Sequence, residues 1–194
     1  ARFLEESDRL EEAIVLLHEA ALAVEPDADR RLALFVKHNL LWLLTTAGRF
    51  DEAAALVAEV DLLSRSIGRE LDRVRLRWAE ARIAAGLGRF EEAVLLFKEV
   101  RRAFASAGAG YDVALASLEL AALYADLSDL PKVKALAEEL HPVFQAQDVH
   151  REALAALSLF MQAAFGETAT GELARQIGSF LRTARYDPSR RFAP

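Results

Sequence analysis

The sequence predicts an all-α protein, a right-handed α-solenoid of antiparallel helix pairs with about nine helices. Three observations carry that prediction. The words Ala47-Gly48-Arg49-Phe50-Asp51-Glu52-Ala53 return as Gly86-Leu87-Gly88-Arg89-Phe90-Glu91-Glu92-Ala93, forty residues later. After each such turn, apolar residues recur in steps of three and four, which lines them along one face of a helix. Ala, Leu, Glu and Arg, which favour helix, are abundant, whereas the strand-favouring Thr, Tyr and Ile are scarce.

Composition narrows the function classes. With 53% hydrophobic side chains, five prolines and nine glycines, the chain can bury a large core and is not a disordered polymer. It has no cysteine, hence no disulfide framework and no thiolate metal site, which fits a reducing compartment and makes the cytoplasm the expected location. Thirty acidic residues against 24 basic ones give a formal charge of −6, which works against a large non-specific nucleic-acid surface. The most apolar run, Ala153 to Phe165, is shorter than the roughly 20 residues a membrane span needs and contains Gln162. Nothing near Ala1 resembles a signal peptide, so no membrane partner is expected.

The turn marker sets the order of the elements. Forty residues before Gly48 it reappears as Asp8-Arg9-Leu10-Glu11-Glu12-Ala13, and forty after Gly88 as Ser128-Asp129-Leu130-Pro131-Lys132-Val133. A degenerate fifth copy opens at Thr168-Ala169-Thr170-Gly171-Glu172-Leu173. The resulting units of one repeat domain over 1–194 are approximately 1–26 (partial), 27–67, 68–107, 108–147 and a cap at 148–186, followed by a tail at 187–194. Second helices follow the markers with the faces Leu10, Ala13, Leu17, Ala20; Phe50, Ala53, Val57, Val60; Phe90, Ala93, Phe97, Val100; and Leu130, Val133, Ala137, Leu140. The small residue after the turn lets two helices approach, and the bulky residue before it packs beneath the turn. First helices precede the markers, roughly at Asp27 to Thr46, Arg69 to Ala85, Asp112 to Leu127 and Val149 to Phe165. Pro26 with Asp27, Gly68, Gly108 with Gly110, and Asp148 mark the breaks, as missing donor, left-handed cap or N-cap.

The acidic pairs Glu11-Glu12, Asp51-Glu52 and Glu91-Glu92 fall in first turns, where negative charge complements the helix N-terminus. As paired catalytic carboxylates they are poor candidates, since neighbours on a helix point about 100° apart and the same pair recurs at every turn. The register places Ala1 in the middle of a first helix, with Phe3 and Leu4 at its last inward turn, so a fragment of a longer polypeptide is expected. The alternative is a processed initiator methionine before a short capping helix. Tyr186-Asp187-Pro188 should stop the last helix, whose polar Gln176 and Ser179 read as a solenoid cap at a true C-terminus.

On these residues the chain resembles the tetratricopeptide-repeat family over essentially its whole length. Gly48 to Ala53 and Gly88 to Ala93 match that family's inter-helix turn, and Ala20-Leu22-Val24-Glu25-Pro26 resembles the end of its second helix. A period of forty rather than the family's 34 resembles the lengthened repeats of sensor modules in bacterial transcriptional regulators and signal-transduction ATPases. The resemblance implies a concave face built from the first helices. By register that face holds Phe35, His38, Asn39 and Trp42, then Arg75, Trp78 and Arg82, then Leu118, Glu119 and Ala122, then Ser158 and Gln162.

Trp and Arg suit a peptide or helix partner, because they combine large buried area with a polar handle. Trp42 and Trp78 therefore either line that groove or fill the core between helix pairs. The Lys and Asn pattern by which some family members clamp a terminal carboxylate is not evident at these positions. Between Arg65 and Arg82, six arginines (65, 69, 73, 75, 77, 82) face three acids, Glu70, Asp72 and Glu80. They either steer an acidic partner or form a solvated face of i,i+4 pairs. A nucleic-acid groove would interleave aromatic residues with a longer basic track.

No catalytic or metal site is expected. His18, His38, His141 and His150 have no partner at metal-ligand spacing, and Gly108-Ala109-Gly110 reads as a cap rather than a phosphate loop. No cofactor is predicted. The expected function is a non-catalytic protein- or peptide-binding scaffold or sensor module, the C-terminal part of a larger bacterial regulatory protein. Its partner would be a protein or peptide, or another domain of the same polypeptide. The alternatives are a homo-oligomerisation module, with Leu10, Ile14 and Leu17 exposed for a homodimer, and a nucleic-acid-associated regulator acting through the Arg-rich helix 69–82.

Overall fold

Two helices that each carry an apolar stripe are stable once the stripes cover one another, and short connections make sequence neighbours the natural partners. The computed structural model describes residues 2–25, 28–145, 151–186 and 191–192, with backbone alone for 2–8, 141–145 and 151–155. Among the described residues there are nine helices and no strand: α1 (Arg2–Ala23), α2 (Arg30–Thr46), α3 (Phe50–Ile67), α4 (Glu70–Gly86), α5 (Phe90–Ser106), α6 (Gly110–Asp126), α7 (Leu130–Gln145), α8 (Arg151–Phe165) and α9 (Gly171–Ala184). The protein is an all-α, solenoid-like assembly of consecutively packed helices. Its contacts gather into two compact units, residues 1–96 and 97–194, and the division falls within α5.

The turns explain the period. Among the described residues, Gly48, Gly88, Gly108, Ser128 and Glu167 take left-handed backbone, with φ of 75°, 75°, 68°, 61° and 56°. At each one the following N–H donates to a carbonyl five residues back: Arg49 to Leu44, Arg89 to Ala84, Ala109 to Phe104, Asp129 to Tyr124 and Thr168 to Ala163, at 2.8–2.9 Å. That bond satisfies a carbonyl the ending helix would otherwise leave unpaired. Gly68 is different. It is extended, and a Cβ there would come within 2.4 Å of the Ser64 carbonyl oxygen, so close approach rather than a left-handed turn requires the glycine.

Three expectations change at element ends. Helix α1 runs unbroken from Arg2 to Ala23, through the turn the register places at Asp8. Helix-favouring residues stand on both sides of Asp8, and a left-handed residue without glycine costs energy that continued helix avoids. Glu11-Glu12 therefore sits in mid-helix, not in a first turn. Helix α2 starts at Arg30, with the Asp29 carboxylate accepting from Leu32 N–H at 2.9 Å. Helix α6 starts at Gly110, which puts Asp112 inside its first turn. The breaks expected at Pro26-Asp27 and Asp148, and Asp187-Pro188 of the expected stop, lie outside the described residues.

Residues 1–96 bury Ile14, Ala33, Leu34, Leu40, Leu41, Leu44, Ala53, Val60, Leu63, Leu76, Ala79 and Ile83 as one core, to which α1, α2, α3 and α4 all contribute. The Phe50 ring lies against its own turn, 3.9 Å from the place a Cβ on Gly48 would occupy, and also reaches the next helix, α4, where a Cβ on Gly86 would meet it at 2.2 Å. In residues 97–194 the packing runs α6 on α7, α7 on α8 and α8 on α9, and α9 then returns onto α6 in the most extensive contact of the unit. Thirteen of the 17 residues of α6 are buried as a result. The outer face of α9 keeps Gln176 and Ser179 exposed, as a cap requires.

Candidate functional site

The first-helix face of residues 1–96 is built by α2 and α4, which pack side by side. Steps of four and seven along α2 place Phe35, Asn39, Trp42 and Thr46 on one stripe, and Arg75, Trp78 and Arg82 form the matching stripe of α4. The Trp42 and Trp78 rings meet edge to face, 4.9 Å between centroids at 74°. The Arg82 guanidinium lies 4.4 Å above the Trp42 ring and donates to the Thr46 hydroxyl at 3.3 Å. Both Thr45 and Thr46 donate to the Trp42 carbonyl, at 2.8 and 3.0 Å.

The alternatives for the two tryptophans thus separate. Trp78 is a core residue, 3% exposed, while Trp42 is half-buried and joins core to surface. Phe35 is 65% exposed one helical stretch further along the same stripe. Asn39 turns back on its own helix, donating to the Phe35 carbonyl at 2.7 Å. Arg75 lies 3.8 Å from Asp72.

His38 stands beside this cluster with its Nε2 buried and without a hydrogen-bond partner. Burial holds its pKa below the usual imidazole value, the Arg75 charge lowers it further, and Asp72 opposes them. Its neutral form is the one the site accommodates.

The remaining expected groove residues lie on α6 and α8. Leu118 is fully buried and Ala122 nearly so, which overturns their expected place on an open face, because α9 covers that stripe. Glu119 accepts from Arg182 of α9 at 2.7 Å and is part of this helix packing. Ser158 and Gln162 are exposed on α8.

Sequence reasoning missed the charge pairs that hold α9. Arg175 pairs with Asp126 at 2.7 Å, Arg182 with Glu119 at 2.7 Å and Arg185 with Asp112 at 3.0 Å, while the Tyr111 hydroxyl donates to the Leu181 carbonyl. The repeat period could not reveal them, since they join residues 49, 63 and 73 apart, separations that the period does not contain. One signal was available at the turns. Arg49 pairs with Glu52 and Arg89 with Glu92, and the third copy keeps the pair with its charges exchanged, Asp129 with Lys132. Arg49 also reaches Glu11 of α1 at 3.0 Å. Hydrogen bonding to Arg49 lowers the Glu52 pKa, and hydrogen bonding to Lys132 lowers that of Asp129.

Arginines of the basic segment are engaged locally: Arg65 with Asp61 at 2.9 Å, Arg77 with Glu80 at 2.9 Å, Arg75 with Asp72 and Arg82 on Trp42. Among the described residues no group of three or more His, Cys, Asp or Glu could hold a metal ion, and no helix is long and apolar enough to cross a membrane. The side chains of His141 and His150 lie outside the described residues. No family model, curated protein or solved structure matches the chain.

Proposed function

We propose that the protein is a non-catalytic binding scaffold of the tetratricopeptide-repeat kind, and that the α2–α4 face receives a protein or peptide partner. The observation that carries this reading is the cluster of Trp42, Trp78 and Arg82. A half-buried indole with a guanidinium over its ring, beside an exposed Phe35, offers apolar area and a directional cation on one rigid surface. Helices pinned by packing are suited to hold such a surface in place. The wider proposal places the scaffold in the cytoplasm, as a sensor module of a larger bacterial regulator; the forty-residue repeats support it by resemblance alone.

Partner affinity after Trp42→Ala and Arg82→Ala, with helicity followed by circular dichroism, tests the reading. Losses of about tenfold or more are expected for the indole, a hot-spot weight. Undiminished binding with intact helicity would discard the site. A second reading, self-association, draws on one specific feature of α1: Val15, Leu16 and Leu22 are 54%, 65% and 83% exposed. The residues expected to be exposed there behave otherwise, for Ile14 is buried and Leu10 and Leu17 pack against the core.

A further inference from the structure

Glutamate recurs every forty residues on the second helices, at Glu19, Glu59, Glu99 and Glu139. On α3, Glu59 accepts from Lys37 of α2, the helix packed against it. On α7, Glu139 accepts from Arg101, whose guanidinium also donates to Ser117 of α6, the register counterpart of Lys37. Glu19 of α1 meets no cation among the described residues.

The apolar positions beside this glutamate show the same contrast. Ala53, Val60 and Leu63 of α3 are buried and Leu56 packs against the core. Steps of three and four put them on one stripe, and the Lys37–Glu59 pair marks its edge as the side facing α2. On α7 the counterparts Val133, Leu136 and Leu140 are buried as well. On α1 the same stripe is open: Leu16 is 65% exposed, Ala23 is exposed, and Ala13 and Ala20 are half-buried. Helix α1 is seated through its other face, by Leu10, Ile14 and Leu17.

We propose that this stripe of α1 docks a basic amphipathic helix of a partner protein, antiparallel to α1, with a lysine or arginine where α2 carries Lys37. The proposal is independent of the α2–α4 reading above. The repeat itself states what such a stripe accepts, because α2 brings both an apolar row and a cation to the corresponding stripe of α3. Small residues at 13, 20 and 23 leave room for bulky side chains on the incoming helix. The rim sets its charge: Glu12 and Glu19 are exposed one turn to either side of Leu16, and the cation Arg9 stands two turns before it. Glu11, Glu12, Val15 and Leu16 line an open groove there. A second copy of α1 would bring its own Glu12 and Glu19 into the contact, acid beside acid, and Lys37 of a second copy is buried in its own pair.

Labelled peptides of residues 28–47, the α2 sequence, serve as probes: one unaltered, one with Lys37→Gln and one with Lys37→Glu. Titrated by anisotropy against the full chain, the unaltered peptide should bind about fivefold more tightly than the Lys37→Glu peptide, the weight of one exposed ion pair. Salt should narrow that gap. In the full chain, Glu19→Lys should invert the order and Glu19→Gln should erase it. Leu16→Glu should weaken all three peptides by about tenfold or more, with helicity unchanged. Binding that ignores Leu16→Glu puts the peptide elsewhere, exchange with the chain's own α2 included, and overturns the assignment. Equal affinity of the three peptides overturns the basic occupant. Self-association that saturating peptide does not disperse makes a second copy the occupant and overturns the proposal too, and no binding by any peptide overturns helix docking on α1. All of these results leave the α2–α4 face to its own test.

Discussion

At the scale of single residues, the left-handed turn positions separate backbone strain from packing. Gly88 has φ 75° and nothing within 4 Å of the place a Cβ would occupy, so Gly88→Ala adds strain without a clash. A loss of about 1–2 kcal/mol is expected, the cost of left-handed backbone for an L-residue. Ser128 holds the corresponding position, φ 61°, without glycine, so Ser128→Gly should recover about half of that, the rest being offset by the freedom glycine gains when unfolded. Urea midpoints at unchanged slope measure both, and shifts of the same sign would refute the account. His38 makes a pH prediction. Burial, and then Arg75, lower its folded pKa below 6.5, with Asp72 opposing. As pH falls below about 6.5 the unfolded chain takes up a proton that the folded chain refuses, so stability present above that pH is lost on acidification until the folded pKa is passed. The slope contributed is at most about 1.4 kcal/mol per pH unit. His38→Gln should flatten the stability profile between about pH 6.5 and 5, above the range where carboxylates titrate. A variant whose acid limb matches the parent's would exclude His38 as its source.

At the scale of elements, α9 tests whether its return onto α6 is held by close approach. Two of its glycines face α6, and they predict opposite outcomes. A Cβ at Gly178 would sit 3.9 Å from Leu118 Cβ, ordinary contact, so Gly178→Ala should gain up to about 1 kcal/mol from helix propensity. A Cβ at Gly171 would meet the Asp126 carboxylate at 2.0 Å and the Ala122 carbonyl oxygen at 3.0 Å. The carboxylate can swing away, but only by disturbing its pair with Arg175, and the backbone oxygen cannot move alone. Gly171→Ala should therefore cost about 1–3 kcal/mol, the range for forced overpacking. Thermal unfolding of both variants decides it, and equal effects would mean that α9 does not seat as described. The same helix marks the limit of what the sequence could tell. The positions of α3, α5 and α7 and their buried small residues, Ala53, Ala93 and Val133, follow from the forty-residue register because the copies at Gly48, Gly88 and Ser128 repeat the same local turn. The register also places Trp42, Trp78 and Arg82 on facing stripes. It could not show that Glu119 serves Arg182, since that contact joins residues 63 apart and has no counterpart in the period. Nor could it show that α1 ignores Asp8, where the marker's wording survives without its glycine.

At the scale of the whole molecule, the question is whether copies of the chain associate. Helix α1 presents Val15, Leu16 and Leu22 to solvent between the exposed Glu11, Glu12 and Glu19. Bringing two such faces together buries aliphatic area but sets acid against acid, in a chain whose formal charge is already −6. The two effects depend differently on salt: screening weakens the repulsion over about 10 Å at 0.1 M ionic strength and does not weaken the burial. Self-association through α1 should therefore strengthen as salt is raised, the opposite of what an interface of paired charges would do. Sedimentation velocity over a concentration series at low and high salt measures this, and Leu16→Glu should hold the chain monomeric throughout, with its helicity unchanged. Because Leu16 lies outside the buried core of residues 1–96, that substitution removes the contact without removing the fold. A parent chain that stays monomeric at every salt and concentration would eliminate α1 as an interface, and association that weakens with salt would move it to a charged surface elsewhere.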